Sequence, residues 1–442
     1  MSEPEVQLDK PPIRRLFDKA FGGASSRVFR GMATLALGSG FARLIGVASI
    51  PLLTRLYSPE DFGVLAVFTA IVSLLAPIVT LRYVLAMPLP YRDGVAINLV
   101  ALSLLLMACS TGLMAIALWW LAPPVVGYFS VEALLPWWWL ILVGVVAAAG
   151  YELLTYWAMR ERNYKVIATT KVWQSAAGSI VKIGLGFLAL KPAGLLLGQV
   201  VAQGGGVGVL WRSFAKSLRA NWKHVRLSIM RKVAWRYRGF AQYRVPSQFL
   251  LVFSSQAPLL FMALLFDADT TGQLALAIMA VTLPVALLGR TTAKAFYAEA
   301  SKLGSKQPLA VRAMLLDVLK RLALLAVAPA LLLIFFGAEL FPLVFGETWD
   351  LAGAFASSLA TFMLFQFLQT PAAHVFYIFD GQRPLLLLNI QRTLLIVAIF
   401  GVTHMLEWSA VAAIWCYSLV LSVHYALSIV YAVRFIPNKA KS

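Results

Sequence analysis

Acidic side chains are scarce in this chain: 19 Asp and Glu among 442 residues, against 38 Lys and Arg. Charged residues as a whole make up 13%, against about 25% in a soluble domain. That excludes a disordered chain and an ordinary cytosolic enzyme. Cysteine is nearly absent. Cys109 and Cys416 both lie inside apolar runs, so a disulfide scaffold is excluded and the thiols are expected as buried packing residues. There are four histidines, and none has a partner at metal-ligand spacing, so no metal is expected. No phosphate loop is present: Gly204-Gly205-Gly206 is followed by Val207, not by the Lys-Ser/Thr that cradles a nucleotide. Neither a nucleophile elbow nor an H-E-x-x-H helix occurs, and no carboxylates are paired within one turn of a cavity helix. The sequence therefore predicts no catalytic residues, no cofactor and no direct ATP hydrolysis.

What the chain does have is apolar length. Apolar residues are 60% and the mean hydropathy is +0.80. The apolar runs are about 20 residues long, enough at 1.5 Å per residue to cross a ~30 Å hydrocarbon core. The pattern predicts an all-α integral membrane protein with about 12 transmembrane helices. Their expected limits are 31–54, 62–81, 95–121, 134–158, 167–189, 193–213, 242–265, 272–289, 316–338, 351–378, 385–403 and 408–433. The first 30 residues are polar and basic and lack an early apolar stretch with a cleavage site, so the first run is expected as a retained span.

The formal net charge of +19 suggests nucleic acid until the cations are placed. With the N-terminus inside, thirty-four of the 38 Lys and Arg fall on cytoplasmic segments and helix ends, Arg392 among them. Outer faces hold Arg55 and Lys191. This is the positive-inside asymmetry, and an even span count puts both termini in the cytoplasm. The cations then face anionic phospholipid headgroups, and nucleic acid is not an expected partner.

The division expected is a cytoplasmic N-terminal segment over 1–30, a six-helix lobe over 31–213, a basic linker over 214–241, a second six-helix lobe over 242–433, and a cytoplasmic tail over 434–442. The linker interleaves Trp222, Val225, Leu227, Ile229, Val233 and Trp235 with basic residues. It reads either as an amphipathic helix lying in the interface or as a plain inner loop. Ser58-Pro59-Glu60-Asp61 has the pattern of a helix N-terminus, and Thr348-Trp349-Asp350 suggests another. Pro77, Pro246, Pro258, Pro284 and Pro371 fall in or near spans and favour kinks. Small-residue runs such as Gly194-x-x-x-Gly198 are expected to pack helices closely.

Polar groups inside the hydrocarbon carry the functional signal. Arg43 sits near the middle of the first span, where a charge costs several kcal/mol unless it meets water or a partner. It faces either a wet cavity or an internal ion pair. Lys182 poses the same question, with Glu152 as its candidate partner and as a candidate proton- or sodium-linked acid. Arg82 and Arg55 mark span ends and add to an anion rim, or simply snorkel. Gln248, Ser255 and Gln256 in one span, and Gln366, Gln369, Thr370 and His374 in another, form helical stripes. They bind either sugar hydroxyls or neighbouring helices. Arginines in an apolar protein suit an anionic amphiphile, because guanidinium groups donate charge-assisted hydrogen bonds to phosphate oxygens.

Two segments carry a resemblance. Pro51-Leu52-Leu53-Thr54-Arg55-Leu56-Tyr57-Ser58-Pro59-Glu60-Asp61-Phe62-Gly63 is similar to the opening of bacterial polysaccharide-biosynthesis flippases, O-antigen type, of the multidrug, oligosaccharidyl-lipid and polysaccharide exporter superfamily. Val344-Phe345-Gly346-Glu347-Thr348-Trp349-Asp350-Leu351-Ala352-Gly353 matches at the corresponding place in the second half, followed by Gln369-Thr370-Pro371 and Gly381-Gln382-Arg383-Pro384. The resemblance implies a V-shaped transporter in the bacterial inner membrane. It implies an undecaprenyl-diphosphate-linked oligosaccharide as substrate, moved to the periplasmic leaflet by alternating access, with proton or sodium coupling and contacts to other polysaccharide-assembly membrane proteins. Three rivals stand beside it, one of them a non-transporting scaffold of an export complex, which a buried Arg43 disfavours. A cation-coupled drug or metabolite exporter would need a buried acid. A membrane glycosyltransferase or polymerase using the same lipid carrier would need a large outer loop or an acidic cluster.

Overall fold

The computed structural model describes residues 24–283 and 288–437. The segment before residue 24, Pro284 and the tail from 438 lie outside the described residues. Helix α1 (Ala24–Ala48) is followed by the short α2 (Ile50–Leu56), and α3 (Pro59–Leu75) starts at Ser58. That start is a full capping box. The Ser58 hydroxyl accepts the Asp61 amide at 3.2 Å, and the Asp61 carboxylate accepts the Ser58 amide at 3.0 Å. Here the sequence pattern and the structure agree. The far end differs: α3 stops at Leu75, short of the expected 81. Pro77 cannot donate to the helix, the chain turns over 76–82, and Leu81 and Arg82 take positive φ.

The chain then runs through α4 (Asp93–Tyr128), α5 (Trp138–Arg160), α6 (Tyr164–Phe187), α7 (Ala193–Gly204) and α8 (Val207–Trp222). The expected linker is itself helical. Helix α8 passes straight through position 214, and α9 (Leu227–Arg236) follows after one turn. Buried Asn98 of α4 ties this elbow down: its amide donates to the His224 carbonyl at 3.0 Å, and its oxygen accepts the Arg226 amide at 2.9 Å. The second half holds α10 (Val245–Leu265), α11 (Ala268–Val281), α12 (Arg290–Leu303), α13 (Pro308–Phe345), α14 (Asp350–Ala372), α15 (Val375–Ile378), α16 (Gln382–Met405) and α17 (Ala410–Phe435). Thr348 does not cap α14. A 3-10 turn over Glu347–Trp349 precedes the helix, and the Thr348 carbonyl is used elsewhere.

Among the described residues, nine helical stretches are long and apolar enough to cross a membrane. Helices α3, α6 and α11 are shorter or more polar than these. The fold is an all-α integral membrane protein. Its cores are distributed unevenly. The largest joins both halves of the chain: Ile50, Leu53, Tyr57 and Phe62 pack with Leu274, Trp349 and Phe355. At the opposite helix ends the cores separate. One contains Tyr83, Leu153, Trp157 and Phe214, the other Phe296, Leu315, Phe376 and Ile436. The halves thus share one core at one end, and at the other each has its own.

Candidate functional site

Two adjoining cavities meet where the halves join, one lined mainly by the second half and the other mainly by the first. One, of about 500 Å³, is walled by α10, α14, α16 and α17, with Arg43 of α1 facing it. The other, of about 310 Å³, is walled chiefly by α1, α2, α6 and α7. Arg43, Ile278 and Thr282 border both, so the two spaces meet at the Arg43 side chain. Three cations face this chamber: Arg43, Lys182 and Arg392. Among the described residues, no Asp or Glu lines either part.

Each cation is held differently. Arg43 is exposed to the chamber from α1, and α1 packs along α6 through the Ser175 hydroxyl, which donates to the Ala42 carbonyl. The Lys182 ammonium donates to Gln199 Oε1 at 2.8 Å. It is not paired with Glu152 as the sequence suggested. From the α5–α6 turn, Glu152 lies about 12 Å along its helix and Lys182 about 27 Å along the next, so they sit at different depths. The Tyr57 hydroxyl donates to the Lys182 carbonyl at 2.7 Å. Burial, with the nearby Asp61 charge, pushes that phenol up to about 12, so it remains a donor at neutral pH.

Arg392 is the residue that sequence reasoning misplaced. Counted with the inner cations, it stands ten residues into α16 and faces the chamber. One terminal nitrogen donates to the Ser254 hydroxyl and the other to the Tyr425 hydroxyl at 3.4 Å. Its Nε is buried and has no hydrogen-bond partner among the described residues.

Of the polar stripe residues, Ser255, Gln366, Gln369, Thr370 and His374 line the larger cavity. Gln256 does not, and Gln248 is engaged elsewhere. Arg82, expected on an anion rim, pairs with Glu152 at 2.7 Å and donates to Gln248 Oε1 at 3.4 Å. This contact joins α5 of the first half to α10 of the second. Arg55 is exposed on α2 and borders neither cavity. Among the described residues, no cluster of three His, Cys, Asp or Glu is disposed to hold a metal.

The fused end borders the smaller cavity at Leu53 and Phe62. Trp349 is fully buried there, its indole N–H donating to the Thr54 carbonyl at 3.1 Å and its ring meeting Phe62 edge-on at 5.0 Å. The Gln273 side chain donates to the Thr348 carbonyl at 2.7 Å and accepts the Ala352 amide at 3.0 Å. Helices α3 and α11 cross so closely that a side chain at Gly63 would collide with the Ala268 carbonyl, and one at Gly272 with the Pro59 carbonyl. The two motifs distant in sequence, around 51–63 and 344–353, are therefore opposite faces of one seal.

The fold is shared with membrane transporters of known structure. A structure described as "Lipid II flippase MurJ, inward closed conformation" superposes with a TM-score of 0.69, at 13% identity, over 91% of this chain and 88% of that one. An inward-facing multidrug resistance MATE family transporter of the MOP superfamily gives 0.56 at 15% identity, over 96% and 98%. A MATE structure in complex with MaL6 gives 0.54 at 14% identity, over 95% and 98%. No curated protein matches the sequence. The family model described as polysaccharide biosynthesis protein matches residues 52–353, a stretch that includes the seal, Lys182 and most of the first half. The chain belongs to the polysaccharide biosynthesis protein family.

Proposed function

We propose that this protein is a transporter that moves a polyprenyl-diphosphate-linked oligosaccharide, on an undecaprenyl carrier, from the cytoplasmic to the periplasmic leaflet of the bacterial inner membrane. The observation that carries this reading is the chamber itself: three cations, no lining acid among the described residues, and a run of amide and hydroxyl groups on α14. A diphosphate would receive charge-assisted hydrogen bonds from Arg43 and Arg392. The sugar hydroxyls would meet Gln366, Gln369 and Thr370, and the prenyl chain would stay in the bilayer. No covalent step is needed. A solved relative described as a lipid II flippase supports a lipid-linked sugar as cargo.

Alternating access follows from the cores. Two lobes of six helices, with both termini cytoplasmic, would rock about the seal that Trp349 plugs. With the basic ends inside, the plugged end is the periplasmic one, and the chamber belongs to a state closed to the outside. An ion gradient would drive the cycle, and Glu152, half-buried beside Arg82, is the acid available for coupling. The MATE likeness in fold keeps a cation-coupled exporter as the second reading. An acid-free cationic chamber disfavours cationic drugs, because like charges repel at short range in a low dielectric.

The test is translocation in proteoliposomes of a labelled undecaprenyl-diphosphate oligosaccharide. The wild-type protein is expected to expose the label on the far leaflet. Arg43→Ala should slow this by about tenfold or more, as for loss of a charge-assisted contact of roughly 1.5–3 kcal/mol. Equal rates at equal protein amount would remove Arg43 from the substrate path. Absence of wild-type movement would overturn the transport reading.

A further inference from the structure

One group of side chains at the chamber is not accounted for by phosphate binding. Tyr297 of α12, His374 at the start of α15 and Tyr377 within α15 bring three rings together. Ring centroids lie 5.4 Å apart for Tyr297 and His374, 5.8 Å for His374 and Tyr377, and 6.4 Å for Tyr297 and Tyr377. The ring planes meet at 51°, 71° and 79° respectively, so the group forms an open corner and not a stack. His374 and Tyr377 border the larger cavity. Tyr297 backs them, and the two tyrosines keep 40% and 54% exposure. The His374 ring is oriented by the Thr370 carbonyl, 3.1 Å from its Nδ1.

Aromatic faces that border a polar cavity, as those of His374 and Tyr377 do, have few uses. They can stack on an apolar ring face, or bind a cation. A cation is disfavoured by Arg43 and Arg392 on the same cavity wall. A pyranose ring offers an apolar C–H face ringed by hydroxyls, and the corner supplies the complement: aromatic faces beside the amides of Gln366 and Gln369. The geometry points to a carbohydrate-stacking corner formed by Tyr297, His374 and Tyr377, which takes the pyranose attached to the diphosphate. This rests on the proposed transport of a lipid-linked sugar and adds where the sugar is read. Tyrosines at the membrane interface also form belts facing headgroups, and such a belt would be indifferent to the sugar.

The experiment compares two soluble probes by calorimetry on the full-length protein in nanodiscs: farnesyl diphosphate, and N-acetylglucosaminyl farnesyl diphosphate. Wild type is expected to bind the glycosylated probe about tenfold more tightly, as a stacked ring contributes roughly a factor of ten. The double variant Tyr297→Leu/Tyr377→Leu should bind both probes alike, with farnesyl diphosphate affinity unchanged. Tyr377→Phe keeps the aromatic face and should keep the preference. A wild type without preference, a double-Leu variant that retains it, or equal weakening toward both probes would overturn the corner. Failure of wild type to bind either probe would instead overturn the transport reading beneath it.

Discussion

Arg392 shows why single residues in a membrane chain are read unevenly. Arg43 stands out because its neighbours are apolar on both sides, so its charge has no polar flank to explain it. Arg392 sits in Asn389-Ile390-Gln391-Arg392-Thr393, a polar stretch close to Arg383, and is indistinguishable in sequence from a snorkelling end residue. Only the packing of α10 and α17 against α16, through Ser254 and Tyr425, aims it inward. Its buried Nε has no hydrogen-bond partner among the described residues. Arg392→Ala is expected to cut diphosphate binding by about tenfold or more, and Arg392→Lys to restore only part, since an ammonium lacks the planar fork. Titration of both variants with farnesyl diphosphate checks this. Full rescue by Lys would mean that charge alone matters there, and an unaffected Ala variant would take Arg392 out of the site.

At the scale of elements, capping and turn chemistry was legible and crossing geometry was not. The Ser58 box follows from four consecutive residues. The early end of α3 follows from Pro77 only once the chain is seen to turn, because prolines also occur inside spans, as Pro258 does in α10. The alternating basic and apolar residues over 214–241 left an interfacial helix and a plain loop both open, and the anchor of the elbow of α8 and α9, Asn98, lies over a hundred positions away in sequence. The α3–α11 crossing depends on two glycines, Gly63 and Gly272, meeting backbone at a point no local pattern marks. A β-branched side chain there cannot be accommodated without separating the helices. Gly272→Val is therefore expected to open the fused end while leaving the separate cores intact. In a cysteine-free background, a cysteine at Thr282, which borders both cavities, reports this. A membrane-impermeant maleimide added outside should label it severalfold faster in Gly272→Val than in the parent. Unchanged labelling would show that the crossing does not control outside access.

For the whole molecule, the distribution of cores turns a static shape into a statement about populations. A core shared at one end and divided at the other favours the state closed at the shared end by whatever that end buries. Trp349 is the largest single contributor there, fully buried and hydrogen-bonded to Thr54 of the opposite half. Truncating a buried aromatic side chain costs about 3–5 kcal/mol, and the share carried by contacts across the halves, to Thr54 and Phe62, falls on the sealed state. A shift of up to that size moves a two-state ratio by as much as about 100-fold. Trp349→Ala should thus populate the outward-open arrangement without substrate. Spin labels on exposed loop residues read both ends at once: Glu132 and Glu407 at the fused end, Arg162 and Asp380 at the divided end. Double electron–electron resonance is expected to show the first distance lengthening and the second shortening in the variant. If both lengthen, the variant has loosened the fold and not moved a gate. If neither changes, the tryptophan packs the core without holding the two halves together, and rocking about this seal would have to be abandoned as the route by which cargo crosses.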